Sequence, residues 1–411
     1  MKLLIVDKLP RPYVEKLREI VKEIEYAPDI TAETLPDHMP GVNILVVRGT
    51  KVTSAAINAA DALELIVRSG AGTENIDLNA ASERAIYITN CPDKNAAAVA
   101  ELTIGLMLAL DRHIPDATVA LREGRWNKER FAKARGLKDR VFGVIGAGAV
   151  GKEVIKRAKA FDMPVIAWSR SLTDEKAKEL AVSRAATIDE LLSRSDVISI
   201  HISYVPETRH LLSAERIARL RPGAIVLNTS RGAIVDNVAL AEALKAGRIY
   251  AGLDVYENEP EEGNTAFKDV LLGVPNWIGT PHIGASTDQA QRATADETVR
   301  IIETFVRTGE VENCVNYAKH TPAAYELIVR HYDKIGVLTG ILNDLRASKI
   351  NVQEVHNIIF EGAKAAVAHI QLDVRPSQNT LDKVLARKNE IIDVELIELK
   401  PNDSSLTKIN A

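Results

Sequence analysis

The chain has 411 residues, of which 46% are hydrophobic and 26% are charged, and its formal net charge is −4. This length is too great for one hydrophobic core and predicts two or three domains, while the charge indicates neither a nucleic-acid-binding protein nor a polybasic membrane surface. The apolar run at residues 3–6 is too short for a signal peptide or a membrane span, and Cys91 and Cys314 lack metal-site spacing, so we expect a cytoplasmic protein without a bound metal.

The first part of the chain alternates short apolar runs with helical stretches. "KLLIVDKL" predicts a strand that leads into a helix, and "NILVVRG" and "LELIVRSGAG" are further apolar runs punctuated by glycine. Residues 96–114 are apolar nearly all round, which indicates a buried helix rather than a surface one. We expect this helix to tie two domains together.

From Arg140 onwards, six further strand-like runs alternate with helical segments. They are "RVFGVIG", "PVIAWSR", "DVISIHIS", "AIVLNTS", "YAGLDVY" and "WIGTPHI". This alternation is typical of an α/β fold with a doubly wound, Rossmann-type parallel sheet that helices cover on both faces. A long amphipathic helix is predicted next, capped by Ser286 or Thr287 and ended by Gly309.

After residue 320 the pattern changes to strand, helix, strand, strand, helix, strand within about 80 residues. The runs are "YELIVRHY", "KIGVLTGILNDLRAS", "INVQEVHNII", "AAVAHIQLDV", "TLDKVLARKN" and "DVELIEL". This β-α-β-β-α-β order predicts a small ferredoxin-like third domain.

The segment "GVIGAGAVGKEV" places Gly146, Gly148 and Gly151 in a G-x-G-x-x-G pattern between a strand and a helix. In such a turn the glycines permit a tight bend and close approach of a pyrophosphate, and the helix N-terminus supplies free N–H groups. We therefore predict a dinucleotide site; the alternative is a glycine-rich turn without a ligand.

Ser169 and Arg170 end the next strand, where an acidic residue would bind the adenosine ribose hydroxyls of NAD. A serine and an arginine can instead hydrogen-bond and neutralise the 2′-phosphate of NADP. Alternatively, Arg170 points to solvent or stacks on the adenine and NAD binds. Ser169 and Arg170 are equally compatible with NAD and with NADP.

Three later segments each follow a strand at the edge where ligands bind in such sheets, and they contribute Arg231, Glu259 and His282. An arginine can clamp a carboxylate and polarise the adjacent carbonyl, and a histidine supported by a carboxylate can exchange the hydroxyl proton. Each residue alone has a structural alternative: a turn cap, a solvated loop or a satisfied core histidine. Their joint position favours hydride chemistry on a carbonyl.

The motifs "VIGAGAVG", "NTSRGAIVD", "GLDVYENEP" and "PHIGAST" resemble those of the D-2-hydroxyacid dehydrogenases, most closely the members that act on phosphoglycerate and carry a C-terminal ACT domain. The resemblance implies that Arg231, Glu259 and His282 are catalytic and that Asp254 binds the nicotinamide carboxamide. It further implies that the cofactor is contacted by the segments containing Ala149, Val150, Thr229, Ser230 and Ala285. Ser169 departs from the aspartate of NAD-using members.

The glycine-rich turn at residues 69–72, with Gly70, Ala71 and Gly72, offers amides to a substrate carboxylate. Arg48, Arg68 and Asn95 resemble positions that the phosphoglycerate-specific members use for substrate. Alternatively, the two arginines are surface residues or members of structural salt bridges. Because both arginines lie on loops expected to close over the substrate, we favour substrate binding.

By the same resemblance, residues 1–92 and 286–315 form a flavodoxin-like substrate-binding domain, 93–285 a dinucleotide-binding domain, and 320–400 an ACT-like regulatory domain. His331, Asp333 and Asn351 match positions that contact an L-serine effector, although Asp333 stands where the family carries asparagine. Alternatively, the third domain only assembles the oligomer. A homodimer or homotetramer is expected.

The function predicted is oxidation of D-3-phosphoglycerate to 3-phosphohydroxypyruvate with NAD or NADP, the entry step of serine synthesis. One alternative is an NAD(P)H-dependent reductase of glyoxylate, hydroxypyruvate or another 2-keto acid. The other, from a different class, is a non-catalytic protein that senses dinucleotides. The intact set of Arg231, Glu259 and His282 argues against the latter.

Overall fold

A computed structural model describes residues 1–260, 265–318 and 322–399. The chain divides into two compact units, Met1–Asn316 and the part that begins at Tyr317. Of the helices in the described ranges, none combines the length and the apolar character needed to cross a membrane. The predicted division of the first unit into two domains stays a prediction, and the predicted ends of the ACT-like domain, 320 and 400, lie outside the described residues.

The first sheet of the first unit has five parallel strands in the order β2-β1-β3-β4-β5, which is the order of flavodoxin-like folds. Its three central strands are apolar on both faces, at residues 3–5, 44–47 and 65–67, because helices cover both sides. In chain order the elements are β1 (Lys2–Ile5), α1 (Arg11–Ile20), β2 (Glu23–Tyr26), α2 (Leu35–His38), β3 (Ile44–Val47), α3 (Ser54–Ala59), β4 (Leu65–Arg68), α4 (Leu78–Glu83) and β5 (Tyr87–Asn90).

The second sheet has seven parallel strands in the order β12-β11-β10-β9-β6-β7-β8, a Rossmann-type arrangement that confirms the predicted fold class. Its elements, with the three helices before it, are α5 (Ala96–Asp111), α6 (Ile114–Arg122), α7 (Lys128–Phe131), β6 (Phe142–Ile145), α8 (Ala149–Ala160), β7 (Val165–Trp168), α9 (Asp174–Leu180), β8 (Ser183–Arg184), α10 (Ile188–Arg194), β9 (Val197–Ile200), α11 (Ala214–Ala218), β10 (Ala224–Asn228), α12 (Asn237–Lys245), β11 (Ile249–Leu253) and β12 (Trp277–Gly279).

Two helices link the sheets. Helix α5 is buried around most of its circumference, as predicted, and packs on α8, β10 and β11. Helix α13 (Asp288–Thr308) returns to the first sheet and packs on α1 and β4. The Thr287 side chain caps its start by accepting from the Ala290 amide at 3.1 Å, and Gly309, with φ of +75°, ends it, so both predicted termini are confirmed.

The second unit has the predicted β-α-β-β-α-β order and one antiparallel sheet, β14-β15-β13-β16, as in ferredoxin-like domains. Its helices pack on a cluster of strand residues that includes Leu327, Val329, Ala368 and Ile370. The elements are β13 (Tyr325–Tyr332), α14 (Val337–Ala347), β14 (Val352–Ile359), β15 (Ala365–Leu372), α15 (Gln378–Leu385) and β16 (Ile391–Glu398).

Candidate active site

The glycine-rich turn between β6 and α8 has the shape that a dinucleotide pyrophosphate needs. Gly146 has φ of +101°, and a Cβ on Gly151 would collide with the carbonyl oxygen of Gly146. A Cβ on Gly148, by contrast, would meet nothing within 4 Å, so this glycine borders open space. Gly148 caps α8 without a side-chain bond, which leaves the first amides of that helix for a phosphate. The residues present therefore fit a dinucleotide.

Ser169 and Arg170 directly follow Trp168, the last residue of β7. The Ser169 side chain is half-buried and Arg170 is exposed. Within the described residues Arg170 makes no ion pair, so its guanidinium is available to a ligand at this strand end. No acidic side chain occupies the position that would bind the ribose hydroxyls of NAD.

The three candidate catalytic residues emerge side by side because their strands are adjacent and in register. Asn228 of β10 pairs with Leu253 of β11, which pairs with Gly279 of β12. The buried side chain of Asn228 shapes the following turn: its amide donates to the Arg231 carbonyl at 2.9 Å, and its oxygen accepts from Ser230. This supporting role of Asn228 was not predicted from the sequence.

His282 and Glu259 form a hydrogen-bonded pair. The histidine Nδ1 lies 2.6 Å from one carboxylate oxygen of Glu259, whose other oxygen accepts from the Tyr256 amide at 2.9 Å. This hydrogen bond raises the pKa of His282 against the opposing effect of burial. Burial is the largest single effect on the pKa of Glu259 and raises it, but the hydrogen bond and charge of His282, the Tyr256 amide and the charge of Arg231 together hold that pKa below its usual value. Within the described residues the Nε2 atom of His282 makes no hydrogen bond, so it is available to a ligand.

The loop that carries His282 is held by Asp254. One carboxylate oxygen of Asp254 accepts from the Thr280 hydroxyl at 2.5 Å and the Ile283 amide at 2.9 Å, and the other accepts from the Gly284 amide at 2.8 Å. These bonds support a left-handed backbone at His282, with φ of +51°, which is uncommon for a residue with a side chain. Asp254 is buried, and its predicted contact with the nicotinamide stays a prediction.

Arg231 is bound by Glu74, a residue that was not predicted to belong to the site. Its Nε lies 2.9 Å from one carboxylate oxygen and its Nη2 3.1 Å from the other, and its Nη1 donates to the Ser230 carbonyl at 2.7 Å. Burial is the largest single effect on the pKa of Glu74 and raises it, but the hydrogen bonds and charge of Arg231, with the backbone and the charge of Arg68, together lower that pKa below its usual value. The pair joins the Rossmann-type sheet to the turn after β4. The only signal in the sequence was the place of Glu74, two residues beyond the glycine-rich turn.

Arg48 and Arg68 lie at the ends of the adjacent strands β3 and β4. The Asp7 side chain fixes the turn that begins at Arg48, because one of its oxygens accepts from the amides of Arg48, Gly49 and Thr50 at 2.6, 3.0 and 3.1 Å. Arg68 lies over Gly70, where a Cβ would collide with its guanidinium, and its Nε is buried without a hydrogen-bond partner. Burial lowers the pKa of Arg68.

Two cavities bring most of these residues together. The first, of about 310 Å³, is lined by the predicted residues Ala71, Gly72, Asn95, Gly148, Ala149, Val150, Thr229, Ser230, Arg231, Asp254, His282 and Ala285. The second, of about 340 Å³, is lined by the predicted residues Arg48, Arg68, Gly70, Asn95, Glu259, His282 and Ala285. Because they share Asn95, His282 and Ala285, the two cavities adjoin at the histidine. Gly146, Gly151, Ser169 and Arg170 line neither.

The predicted effector residues lie in the second unit. His331 is buried, with Nδ1 2.9 Å from the Tyr332 carbonyl and Nε2 3.0 Å from the Asn357 side-chain oxygen. Asp333 and Asn351 are exposed, and the Asn351 amide donates to Asp373 at 3.1 Å. Both ring nitrogens of His331 are thus engaged within the unit, and an effector site there stays a prediction.

Residues 104–284 match the family model of the D-isomer specific 2-hydroxyacid dehydrogenase NAD-binding domain. The chain is 43% identical over 318 residues to D-3-phosphoglycerate dehydrogenase of Methanocaldococcus jannaschii, covering 77% of this chain but only 59% of that relative. It is 44% identical over 266 residues to hydroxypyruvate reductase of Thermotoga maritima, covering 64% of this chain and 85% of that relative.

A similar solved structure is that of an NADPH-dependent glyoxylate/hydroxypyruvate reductase from Sinorhizobium meliloti in complex with NADP and malonate. It is 29% identical, has a TM-score of 0.67, and the match covers 76% of this chain and 96% of that one. The chain is therefore similar in fold to a reductase whose structure holds a nicotinamide dinucleotide.

Proposed function

Since the chain belongs to the family of D-isomer specific 2-hydroxyacid dehydrogenases, we propose that it oxidises D-3-phosphoglycerate to 3-phosphohydroxypyruvate with a nicotinamide dinucleotide, as the entry step of L-serine synthesis. The observation that carries the proposal is the second cavity. It adjoins His282 and is lined by Arg48 and Arg68, so a phosphate would lie within reach of cations while the rest of the substrate reaches the histidine. The similarity to the D-3-phosphoglycerate dehydrogenase of Methanocaldococcus jannaschii supports this assignment.

In this mechanism the carboxylate of the substrate binds to Arg231 and to the amides of the turn at residues 69–72. Neutral His282 donates Nδ1–H to Glu259 and accepts the proton of the C2 hydroxyl at Nε2. Glu259 stabilises the imidazolium that forms, and for this reason the pKa of His282 is raised. A bound nicotinamide would supply the acceptor for the hydride that leaves C2 of the substrate.

The residues that would hold the cofactor are the turn Gly146, Gly148 and Gly151, the start of α8 at Ala149 and Val150, and Thr229, Ser230, Asp254 and Ala285. At the adenosine end, we propose that Ser169 and Arg170 accept NADP as well as NAD, because the strand end offers a cation and no carboxylate. Ser169→Asp should lower kcat/KM for NADP relative to NAD, since the new carboxylate repels the 2′-phosphate. A preference for NADP that persists in this variant contradicts the assignment.

The substrate assignment is tested with Arg48→Ala. Removing this guanidinium should lower kcat/KM for 3-phosphohydroxypyruvate by about a hundredfold, the loss expected when one charge-assisted phosphate contact is removed, and should leave hydroxypyruvate nearly unchanged. Both keto acids are reduced with the preferred reduced cofactor. Equal losses on the two keto acids would show that Arg48 does not bind the phosphate.

The second candidate is a reductase of hydroxypyruvate, glyoxylate or another 2-keto acid. The observation in its favour is the match to the Thermotoga hydroxypyruvate reductase, of which this chain covers 85%. Assays of the wild-type enzyme distinguish the two candidate functions. A phosphoglycerate dehydrogenase has the higher kcat/KM on the phosphorylated keto acid, whereas a reductase of the second kind has the higher kcat/KM on the unphosphorylated one.

We propose further that the second unit is an ACT-like regulatory domain that binds L-serine through His331, Asp333 and Asn351, in a cytoplasmic homodimer or homotetramer. Its ferredoxin-like sheet supports this assignment. The residues of the effector site are taken from the family resemblance. Isothermal titration of the full chain with L-serine tests the binding, and size-exclusion chromatography with light scattering tests the assembly.

A further inference from the structure

Lys8 stands at the carboxyl edge of the first sheet, three residues beyond the end of β1. Strands β1 and β3 are adjacent and parallel, with Ile5 opposite Val46, and the strand order turns in opposite directions on either side of them. In open α/β sheets this switch point forms the crevice in which ligands bind. Lys8 and Arg48 lie on its two sides, and both line the second cavity.

Asp7 ties these two strand ends together. One of its oxygens accepts from three successive amides, those of Arg48, Gly49 and Thr50. Three converging amides of this kind form an anion-binding nest, and here the Asp7 carboxylate already fills it. The bonds fix the backbone next to Lys8 against the turn of Arg48. One Asp7 oxygen is thus engaged with the backbone, and within the described residues no ion pair joins Asp7 to Lys8.

The second cavity carries an excess of positive charge. Its cations are Lys8, Arg48 and Arg68, and the single carboxylate among its described lining residues, Glu259, is bonded to His282. Neither Lys8 nor Arg48 has an ion-pair partner in the described part of the chain, and the buried Nε of Arg68 has no hydrogen-bond partner. Three like charges around one cavity repel one another, so the cavity is complementary to a ligand with more than one negative charge.

From this arrangement we infer that Lys8 is a specificity-determining residue, whose ammonium binds the phosphate of a phosphorylated 2-hydroxy acid together with Arg48 and Arg68. The carboxylate of the substrate binds to Arg231 in the first cavity. The second cavity is therefore left to bind the dianionic phosphate at the other end of the substrate. The long stem of Lys8 lets its three donors turn toward a phosphate as a mobile point charge. The inference rests on the proposed function and deepens it.

The test compares Lys8→Gln with Lys22→Gln. Lys22 is exposed and precedes β2, so it lies at the opposite edge of the same sheet and serves as a matched control. Both variants are assayed for reduction of 3-phosphohydroxypyruvate and of hydroxypyruvate, and for inhibition of hydroxypyruvate reduction by inorganic phosphate. Lys8→Arg, which keeps the charge, is the rescue variant.

Lys8→Gln should lower kcat/KM for the phosphorylated keto acid roughly tenfold, mainly through KM, and should weaken phosphate inhibition by a similar factor. Turnover of hydroxypyruvate should match that of Lys22→Gln, and Lys8→Arg should retain most of the preference. A Lys8→Gln variant that equals the control in both assays overturns the inference. If the wild-type enzyme prefers hydroxypyruvate, the proposed function fails, and the role of Lys8 is then judged from phosphate inhibition alone. Weaker inhibition of Lys8→Gln by phosphate supports the binding of phosphate by Lys8. Unchanged inhibition overturns it.

Discussion

At the scale of single residues, the proposed mechanism depends on the proton affinity of His282. The hydrogen bond to Glu259 raises the pKa of this histidine, so its imidazolium persists to higher pH. Reduction of a keto acid needs the imidazolium as proton donor, whereas oxidation of the hydroxy acid needs the neutral ring. Reduction should therefore fall, and oxidation rise, as the pH increases through the pKa of His282.

Glu259→Gln should move the alkaline limb of kcat/KM for keto-acid reduction to lower pH by about one unit, because the amide no longer stabilises the imidazolium. The measurement is a pH profile with the reduced cofactor at saturation. His282→Ala is the control, since it should abolish the limb together with most of the activity. A limb at the same pH in wild type and Glu259→Gln would show that another group titrates.

Glu74 orients Arg231 and leaves part of its guanidinium open. The five N–H groups of Arg231 give two to Glu74 and one to the Ser230 carbonyl, so one N–H remains on each of Nη1 and Nη2. Two such neighbouring donors match the two oxygens of a carboxylate. Glu74 is thus well placed to aim this edge of the guanidinium at the substrate.

Glu74→Gln should raise KM for the keto acid roughly tenfold, with a smaller change in kcat, because the guanidinium loses its charged anchor. The dissociation constant of the reduced cofactor, measured by fluorescence titration, should stay unchanged and serves as the internal control. A KM equal to that of the wild type would mean that Ser230 and the backbone suffice to hold Arg231.

Among the elements, α13 is anchored by a buried carboxylate. Glu297 is bonded to Arg300 at 2.7 and 3.0 Å, to Lys94 at 3.2 Å and to Asn313 at 2.8 Å, which joins the helix to the segment before α5 and to the segment after α13. These partners, Arg300 first, lower the pKa of Glu297 to about 2 against the opposing effect of burial. The folded state is therefore stabilised by the ionised form.

Glu297→Gln should lower the free energy of unfolding by about 2 kcal/mol at pH 7. Because the folded pKa lies below the unfolded value, the wild-type contribution is complete above about pH 4.5 and is lost as the pH falls toward 2. Urea unfolding at pH 7 and at pH 3 measures both effects. Glu303→Gln, on the same helix but more exposed, is the control, and an equal loss in both variants would contradict the role of Glu297.

Elements with local signals were predictable from the sequence. The turn with Gly146, Gly148 and Gly151 and the ends of α13 follow from residues a few positions apart, and the structure has them as expected. Strand β8 was missed because two exposed residues carry no periodicity. Contacts between distant residues were missed for another reason: Glu74 and Arg231 are 157 positions apart, and Asp7 and Arg48 are 41 apart, so no spacing rule relates them.

At the scale of the whole molecule, a serine site in the second unit would have to be coupled to the active site. Coupling of this kind is reciprocal, so the factor by which L-serine weakens substrate binding is also the factor by which substrate weakens serine binding. The predicted contact residue Asn351 is exposed, which makes it a suitable probe because its substitution leaves the core of the unit intact.

Asn351→Ala should weaken L-serine binding about tenfold and leave turnover without serine unchanged. Calorimetric titrations of the full chain with L-serine, in the presence and absence of substrate, measure the affinity and the reciprocal factor. Lys349→Ala, an exposed substitution two residues away, is the control. Absence of any serine binding by the wild-type chain would leave the second unit with an assembly role alone.

The ion pair between Arg231 and Glu74 also has a consequence for the conditions under which the enzyme works. The two side chains are 35% and 50% exposed, so dissolved ions reach them, and at physiological ionic strength charges are screened over about 8 Å. Added potassium chloride should weaken this electrostatic link between the two sheets and compete with anionic substrates for the arginines. We therefore expect the KM for anionic substrates to rise steeply as the salt concentration is increased.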